Sequence, residues 1–293
     1  MTPRAESALV DGHEKRERFG EVMTDQDGSE PPIIVLDQVQ LVYGKPGTAR
    51  SVEALRDVSF AVGRQQFLSI VGLSGCGKST LLKIVSGLLP ATSGALSVDG
   101  RTPNEARRRR AFGFVFQTPV LLPWRSALDN VALLLEVQGV PRAERQDVAR
   151  RYLDLVGLGG FEQHQPRELS GGMQQRVAIA RAMTLDPEIL LMDEPFGALD
   201  AITRDRMAFE LLEICQKSQK TVLFVTHSVS EAVLLSDVVV VLTPRPGQVQ
   251  AIRGIDLPRP RSKETRLTPE FTAYTHLLLR DLEGIVAHAE EAS

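Results

Sequence analysis

The stretch GLSGCGKST, Gly72 to Thr80, constrains this chain more than any other. An apolar run, QQFLSIVG, ends at Gly72, and a helical pattern begins at Lys78. A glycine-rich turn between strand and helix can wrap backbone N–H groups around a phosphate. The helix N-terminus adds its dipole. Gly72, Gly75 and Gly77 match the turn, with the small residues Ser74 and Cys76 between them. Lys78 is placed to bridge β- and γ-phosphates, Ser79 to ligate Mg2+, and Thr80 continues the helix. Cys76 reads first as a small residue that fits the turn; the alternative is a thiol whose pKa is lowered by the helix N-terminus, a maleimide target that bound nucleotide would protect.

The rest of the sequence must supply a sheet to carry that turn. At 293 residues and 43% hydrophobic, the chain fits one large α/β domain or one domain with a helical annex. A net charge of −3 argues against a nucleic-acid binder that works by bulk charge. Cys76 and Cys215 give neither a disulfide framework nor a metal spacing, and suit a reducing cytosol. No run reaches the ~18 apolar residues of a membrane span, so a membrane role would come through a partner. Residues 1–31 lack an apolar h-region and are expected to form a disordered extension rather than a signal.

Strand signals at PIIVL, VEALRDVSFAVG, FLSIV, ALSV and AFGFVFQ precede a helical block from Pro119 to Leu185. Strands resume in EILLMDEP, TVLFVTH and DVVVVL, separated by helices over Ile202–Lys217 and Ser230–Leu235. This order predicts a parallel sheet covered on both faces, with the helical block (about 118–185) inserted into it. The main domain is expected over 32–243. Within 244–293, the Pro/Arg-rich part to 265 reads as extended and Pro269 to Ala287 as one amphipathic helix. RRRR, Arg107 to Arg110, reads as a solvated turn before a buried strand rather than an anion-binding patch.

Five further positions suit nucleotide chemistry. Asp193 and Glu194 end an apolar strand, where Asp193 would orient Mg2+ and Glu194 would polarise the attacking water. Gln117 ends another strand and offers an amide to metal and water. His227 follows TVLFVT and would bring an imidazole to the γ-phosphate. Tyr43 in LVYG offers a ring for a nucleobase.

ELSGGMQQR, Glu168 to Arg176, adds a second phosphate grip: Ser170, Gly171 and Gly172 at a helix start, then Gln174. One nucleotide needs one grip.

The ordered set resembles the ATP-binding subunit of ATP-binding cassette (ABC) transporters. It comprises Tyr43, Gly72–Thr80, Gln117, LSGGMQQR, MDEP, the ALD at Ala198–Asp200, and His227. The resemblance covers about Ile33 to Leu242. LSGGQ is the commoner signature; here Met173 stands for that Gln, as in signatures of importer subunits. The resemblance implies a P-loop (RecA-like) α/β core with a small antiparallel β subdomain and an inserted helical subdomain. It implies ATP and Mg2+ as cofactors, and a head-to-tail homodimer. In that dimer Ser170, Gly171, Gly172 and Gln174 meet the partner's ATP, and Asp200 crosses the same interface. It also implies a transmembrane permease, an indirect link to a solute-binding protein, no nucleic acid, and a peripheral place on the cytoplasmic face of the membrane. LLPWRSALDNV, with the docking candidates Leu121, Leu122, Pro123 and Trp124, is similar to nitrate, sulfonate and taurine importer ATPases. So are PRPG (Pro244–Gly247) and LPRPR (Leu257–Arg261). A soluble cassette ATPase of DNA repair or translation is the alternative; such relatives usually carry a long coiled coil or a second cassette, and neither is seen here.

Overall fold

A computed structural model describes residues 30–44 and 51–291; the expected N-terminal extension lies outside the described residues up to position 29. The strands are β1 Ile34–Tyr43, β2 Val52–Val62, β3 Phe67–Val71, β4 Ser93–Val98, β5 Phe112–Val115, β6 Ile189–Asp193, β7 Thr221–Thr226, β8 Val238–Leu242 and β9 Val249–Gly254. The helices are α1 Lys78–Val85, α2 Pro103–Arg108, α3 Ala127–Val131, α4 Leu133–Val137, α5 Arg142–Leu155, α6 Gly171–Met183, α7 Ala201–Ser218, α8 Val229–Leu235 and α9 Pro269–Glu291.

Strands β3 and β7 are buried at every position, and β6 and β8 nearly so. Runs such as TVLFVT and VVVVL are apolar on both faces because helices cover both sides. Each fully buried Val or Leu there contributes about 1.5–3 kcal/mol relative to exposure. The large sheet has the order β5-β6-β7-β3-β8-β9, parallel except for β9. The second sheet, β2-β1-β4, is antiparallel. One core cluster joins it to α1 and one face of the large sheet, through residues such as Ile34, Leu55, Leu68 and Leu81. The other gathers Phe67, Phe196 and Phe224 with residues of α3, α5, α6 and α7.

Register places the functional loops together. Val71 pairs with Thr226, Asp193 with Val225, and Val115 with Met192. The strands preceding the phosphate loop, Gln117, Glu194 and His227 therefore end at one edge of the sheet. This is the crevice at the carboxyl ends of parallel strands where α/β folds bind ligands.

Three elements differ from the sequence reading. The first strand continues past Leu36 to Tyr43, because both β2 and β4 pair along it. The RRRR run lies partly in α2, whose start is a capping box: Thr102 Oγ1 accepts from Glu105 N while the Glu105 carboxylate accepts from Thr102 N. All four arginines are nonetheless exposed. In the segment after 244, Val249–Gly254 pairs with β8 as an antiparallel edge strand.

The same C-terminal segment carries a buried Arg261, 5% exposed. Its guanidinium donates to the carbonyls of Val233, Leu234, Ser236, Ile255 and Leu257. Burial pulls its pKa down to about 10. The residue satisfies the open carbonyls at the C-terminal end of α8.

Candidate nucleotide site

The phosphate loop is shaped by two left-handed glycines, Gly75 at φ +79 and Gly77 at φ +106. Gly77 is also a close-packing position, since a Cβ there would lie 2.7 Å from Leu55 Cδ2. No side chain caps α1, and no acidic residue sits in its first turn. Its first N–H groups thus face the loop with the helix dipole behind them. Leu73, Ser74 and Gly75 are exposed at the rim.

Lys78 is 4% exposed. Its Nζ donates to Gly72 O (2.9 Å) and Leu73 O (3.1 Å), and lies 3.7 Å from Glu194 Oε1. A buried ammonium with only these partners is poised to exchange loop carbonyls for phosphate oxygens. Ser79 Oγ donates to Asp193 Oδ1 at 2.7 Å. Burial pushes the Asp193 carboxyl pKa up, against the Ser79 hydrogen bond that lowers it. Hydroxyl and carboxylate together offer two adjacent oxygens of the kind that would hold Mg2+. Among the described residues no cluster of three His, Cys, Asp or Glu is placed to form a metal cage.

Glu194 sits at φ +43, in the left-handed region. A non-glycine residue there is held by its surroundings; Glu194 N donates to Val225 O at 2.9 Å. The turn aims the carboxylate at the loop: Oε2 is 3.2 Å from His227 Nδ1, while Oε1 faces Lys78. Gln117 belongs to the same group, because a Cβ built at Gly197 would meet both Gln117 Nε2 (3.3 Å) and Glu194 Oε2 (3.7 Å). Tyr43 is 43% exposed, and its hydroxyl is 3.2 Å from Thr80 Oγ1.

Cys76 corrects the alternative reading of an activated thiol. It is 1% exposed, and burial raises its pKa more than Lys78 and the local hydrogen bonds lower it. The helix end does not activate a thiol that faces away from solvent.

The PRPG turn, read from the sequence only as a likeness to importer ATPases, braces the loop. Gly247 lies so close that a Cβ would fall 2.1 Å from Cys76 O. Its own N–H and C=O pair with Ala54 O and Arg56 N, and Arg245 Nη2 donates to Gly75 O at 3.2 Å. PRPG suggested a relative, but not that this turn presses on the phosphate loop.

The second grip stands apart from these groups. Ser170 is the N-cap of α6, its Oγ accepting from Met173 N at 3.3 Å. Ser170 and Gly171 are exposed and Gly172 is buried. A Cβ at Gly171 would meet Leu199 Cδ2 at 3.6 Å, and one at Gly172 would meet Thr203 Cγ2 at 2.8 Å. Gln174 faces inward, donating to Pro166 O and Leu169 O. Asp200 caps α7 through Ile202 N and Thr203 N, and the bonds from Thr203 hold its carboxyl pKa down.

This fold and site define a P-loop nucleoside-triphosphatase. The ABC transporter family model matches residues 55–197. An ABC transporter ATP-binding protein of Methanocaldococcus jannaschii is 51% identical over 80% of this chain and 86% of its own length. A taurine import ATP-binding protein of Rhizobium johnstonii is 50% identical, covering 83% and 92%. A nitrate import ATP-binding protein of Synechococcus elongatus is 42% identical over 85% of this chain but 38% of its own length. Among solved structures, a dimeric ATP-binding cassette in a post-hydrolysis state, bound to ADP and Pi, superposes with a TM-score of 0.66 at 33% identity, covering 77% of this chain and all of that one. The chain belongs to the ABC transporter family, and is an ATPase of its ATP-binding type.

Proposed function

We propose that this chain powers an importer of nitrate, a sulfonate, taurine or a related small solute, as a head-to-tail dimer docked on a membrane permease. The observation that carries the dimer is the exposed start of α6, a second anion-seeking helix end at which a Cβ on Gly171 would meet only Leu199 within 4 Å. Packed against a partner, Ser170 and Gly171 would close over the nucleotide held by the partner's phosphate loop. That a similar cassette is dimeric with ADP and Pi bound supports dimerisation.

Within each site, Lys78 and the loop amides neutralise the β- and γ-phosphates. Ser79, Asp193 and Gln117 are the groups that would hold Mg2+, which when bound draws charge from the phosphate oxygens. Glu194 orients a water in line with the γ-phosphorus and draws on its proton. As the water oxygen bonds to phosphorus, the bond to the β–γ bridging oxygen breaks, and His227 steadies the γ-phosphate oxygens. Loss of that phosphate removes the anion between the chains, so hydrolysis opens the dimer.

Docking is supported by apolar residues around Gln117. Phe116, Val120 and Trp124 are 40%, 58% and 71% exposed. Their loop is fixed from below. Asn130, fully buried, accepts from Leu122 N and donates to the carbonyls of Leu122, Arg125 and Ser126. Arg181 donates to Pro119 O and Val120 O. An exposed Trp on a rigid loop is an interface anchor. No helix among the described residues is long and apolar enough to cross a membrane. In this reading the permease supplies the membrane path, and a solute-binding protein would feed it from outside.

The test is the order of the ATPase reaction in protein. Turnover per chain should rise with chain concentration and then plateau; constant turnover on dilution well below the plateau would defeat the dimer. Uptake of labelled taurine, alkanesulfonate and nitrate by a deletion strain identifies the solute.

A further inference from the structure

Two ion pairs flank α7, and both stop short of hydrogen bonds. Towards α8, Arg204 Nε lies 3.7 Å from Glu231 Oε1. Towards α6, Glu210 Oε2 lies 3.6 Å from Arg176 Nε. Arg204 Nε, Arg176 Nε and Glu210 Oε2 are shielded from solvent and have no hydrogen-bond partner. Buried polar atoms in that condition are costly. A shift of less than about 1 Å would turn each contact into a charge-assisted hydrogen bond.

Further bonds of Glu231 and Arg204 run towards the two functional ends, while Arg176 Nη1 donates to Val156 O and Gly157 O and Glu210 Oε1 accepts from Arg206. Glu231 Oε2 accepts from Thr226 Oγ1 at 2.6 Å, and Thr226 Oγ1 accepts from Ser228 N at 3.0 Å. These bonds bracket His227 on either side. Arg204 Nη2 donates to Leu199 O at 2.9 Å. Leu199 and Thr203 are in turn the residues that face Gly171 and Gly172. Arg176 stands on α6, the helix that Ser170 caps.

We propose that α7 is a mechanical link between the chain's two phosphate-facing ends, with Arg204 and Arg176 as the positioning residues that hold it to α8 and α6. Tightening of the two ion pairs moves His227, the 199–203 segment and the start of α6 as one body. A nucleotide held at the chain's own His227 is thereby reported to the grip that faces the partner's nucleotide. The inference rests on the head-to-tail dimer above.

Contiguity alone does not establish coupling, so the test is a double-mutant cycle on the full chain. Arg204→Ala and Glu231→Gln should each lower kcat about tenfold, and the double variant should be no worse than either alone. Affinity of the dilute chain for a fluorescent ATP analogue should stay within about twofold, since neither residue touches the phosphate loop. Arg204→Lys, which keeps the charge, should recover part of the loss. Losses that multiply in the double variant, or a fall in nucleotide affinity matching that in kcat, would overturn the link. Should Arg204→Ala fail to fold, the cycle between Arg204→Lys and Glu231→Gln reads the same coupling. ATP-driven dimerisation of a Glu194→Gln chain separates the two layers. Absence of a dimer defeats the head-to-tail reading; a dimer with an additive cycle defeats only the link.

Discussion

Glu194 Oε2 lies 3.2 Å from His227 Nδ1, and its other oxygen is 3.7 Å from Lys78 Nζ. One carboxylate thus joins Lys78, proposed to meet the phosphates, to His227, proposed to face the γ-phosphate. Glu194→Gln keeps the shape of this junction but removes the base. Hydrolysis should fall at least ~100-fold with ATP binding retained, and the variant should accumulate as an ATP-bound dimer by light scattering. Wild-type turnover would contradict the assignment.

Gly247 gives a second prediction. A Cβ there would fall 2.1 Å from Cys76 O, an overlap only backbone movement can relieve. Gly247→Ala should displace the phosphate loop, weakening ATP binding measurably and costing about 1–3 kcal/mol of stability. Isothermal titration and thermal melting read the two effects separately.

The two cysteines predict a pH dependence. Burial raises the Cys76 pKa, and that of Cys215 to about 12. The reactive species is the thiolate, so a raised pKa means less of it near neutrality. Native protein should react slowly with a thiol reagent at pH 7–8, faster with rising pH, and fast at both sites once unfolded. Rapid labelling of Cys76 at pH 7 would refute the buried placement.

Removing the Arg261 guanidinium leaves the carbonyls it serves unpaired between α8 and the 255–257 segment. Arg261→Leu should destabilise the chain by about 2–4 kcal/mol. A melting temperature unchanged within a degree would show that these bonds carry little.

The central strands were legible because burial on both faces writes itself as TVLFVT and VVVVL. The grouping of Lys78, Asp193, Glu194 and His227 was legible because parallel register aligns strand ends. β9 was not, since VQAIRG is a half-exposed edge whose pairing is decided by β8. Thr102-Pro103-Asn104-Glu105 did announce α2, through a capping box overshadowed by the arginines after it. Arg261 ran against the rule that arginines are exposed. Arg204–Glu231 and Arg176–Glu210 join residues on different helices, a pairing that no local pattern encodes.

In the proposed dimer one chain's phosphate loop is completed by another chain's Ser170 and Gly171. Complementation tests it most directly. Lys78→Ala disables the loop. Gly171→Asp places a carboxylate at the grip, where a side chain meets only an ordinary contact with Leu199. Each variant alone should be inactive. Mixed one to one, they should form heterodimers with one intact composite site, recovering about a quarter of wild-type activity if association is random. Activity in the mixture no greater than the sum of the two inactive proteins would contradict the shared site.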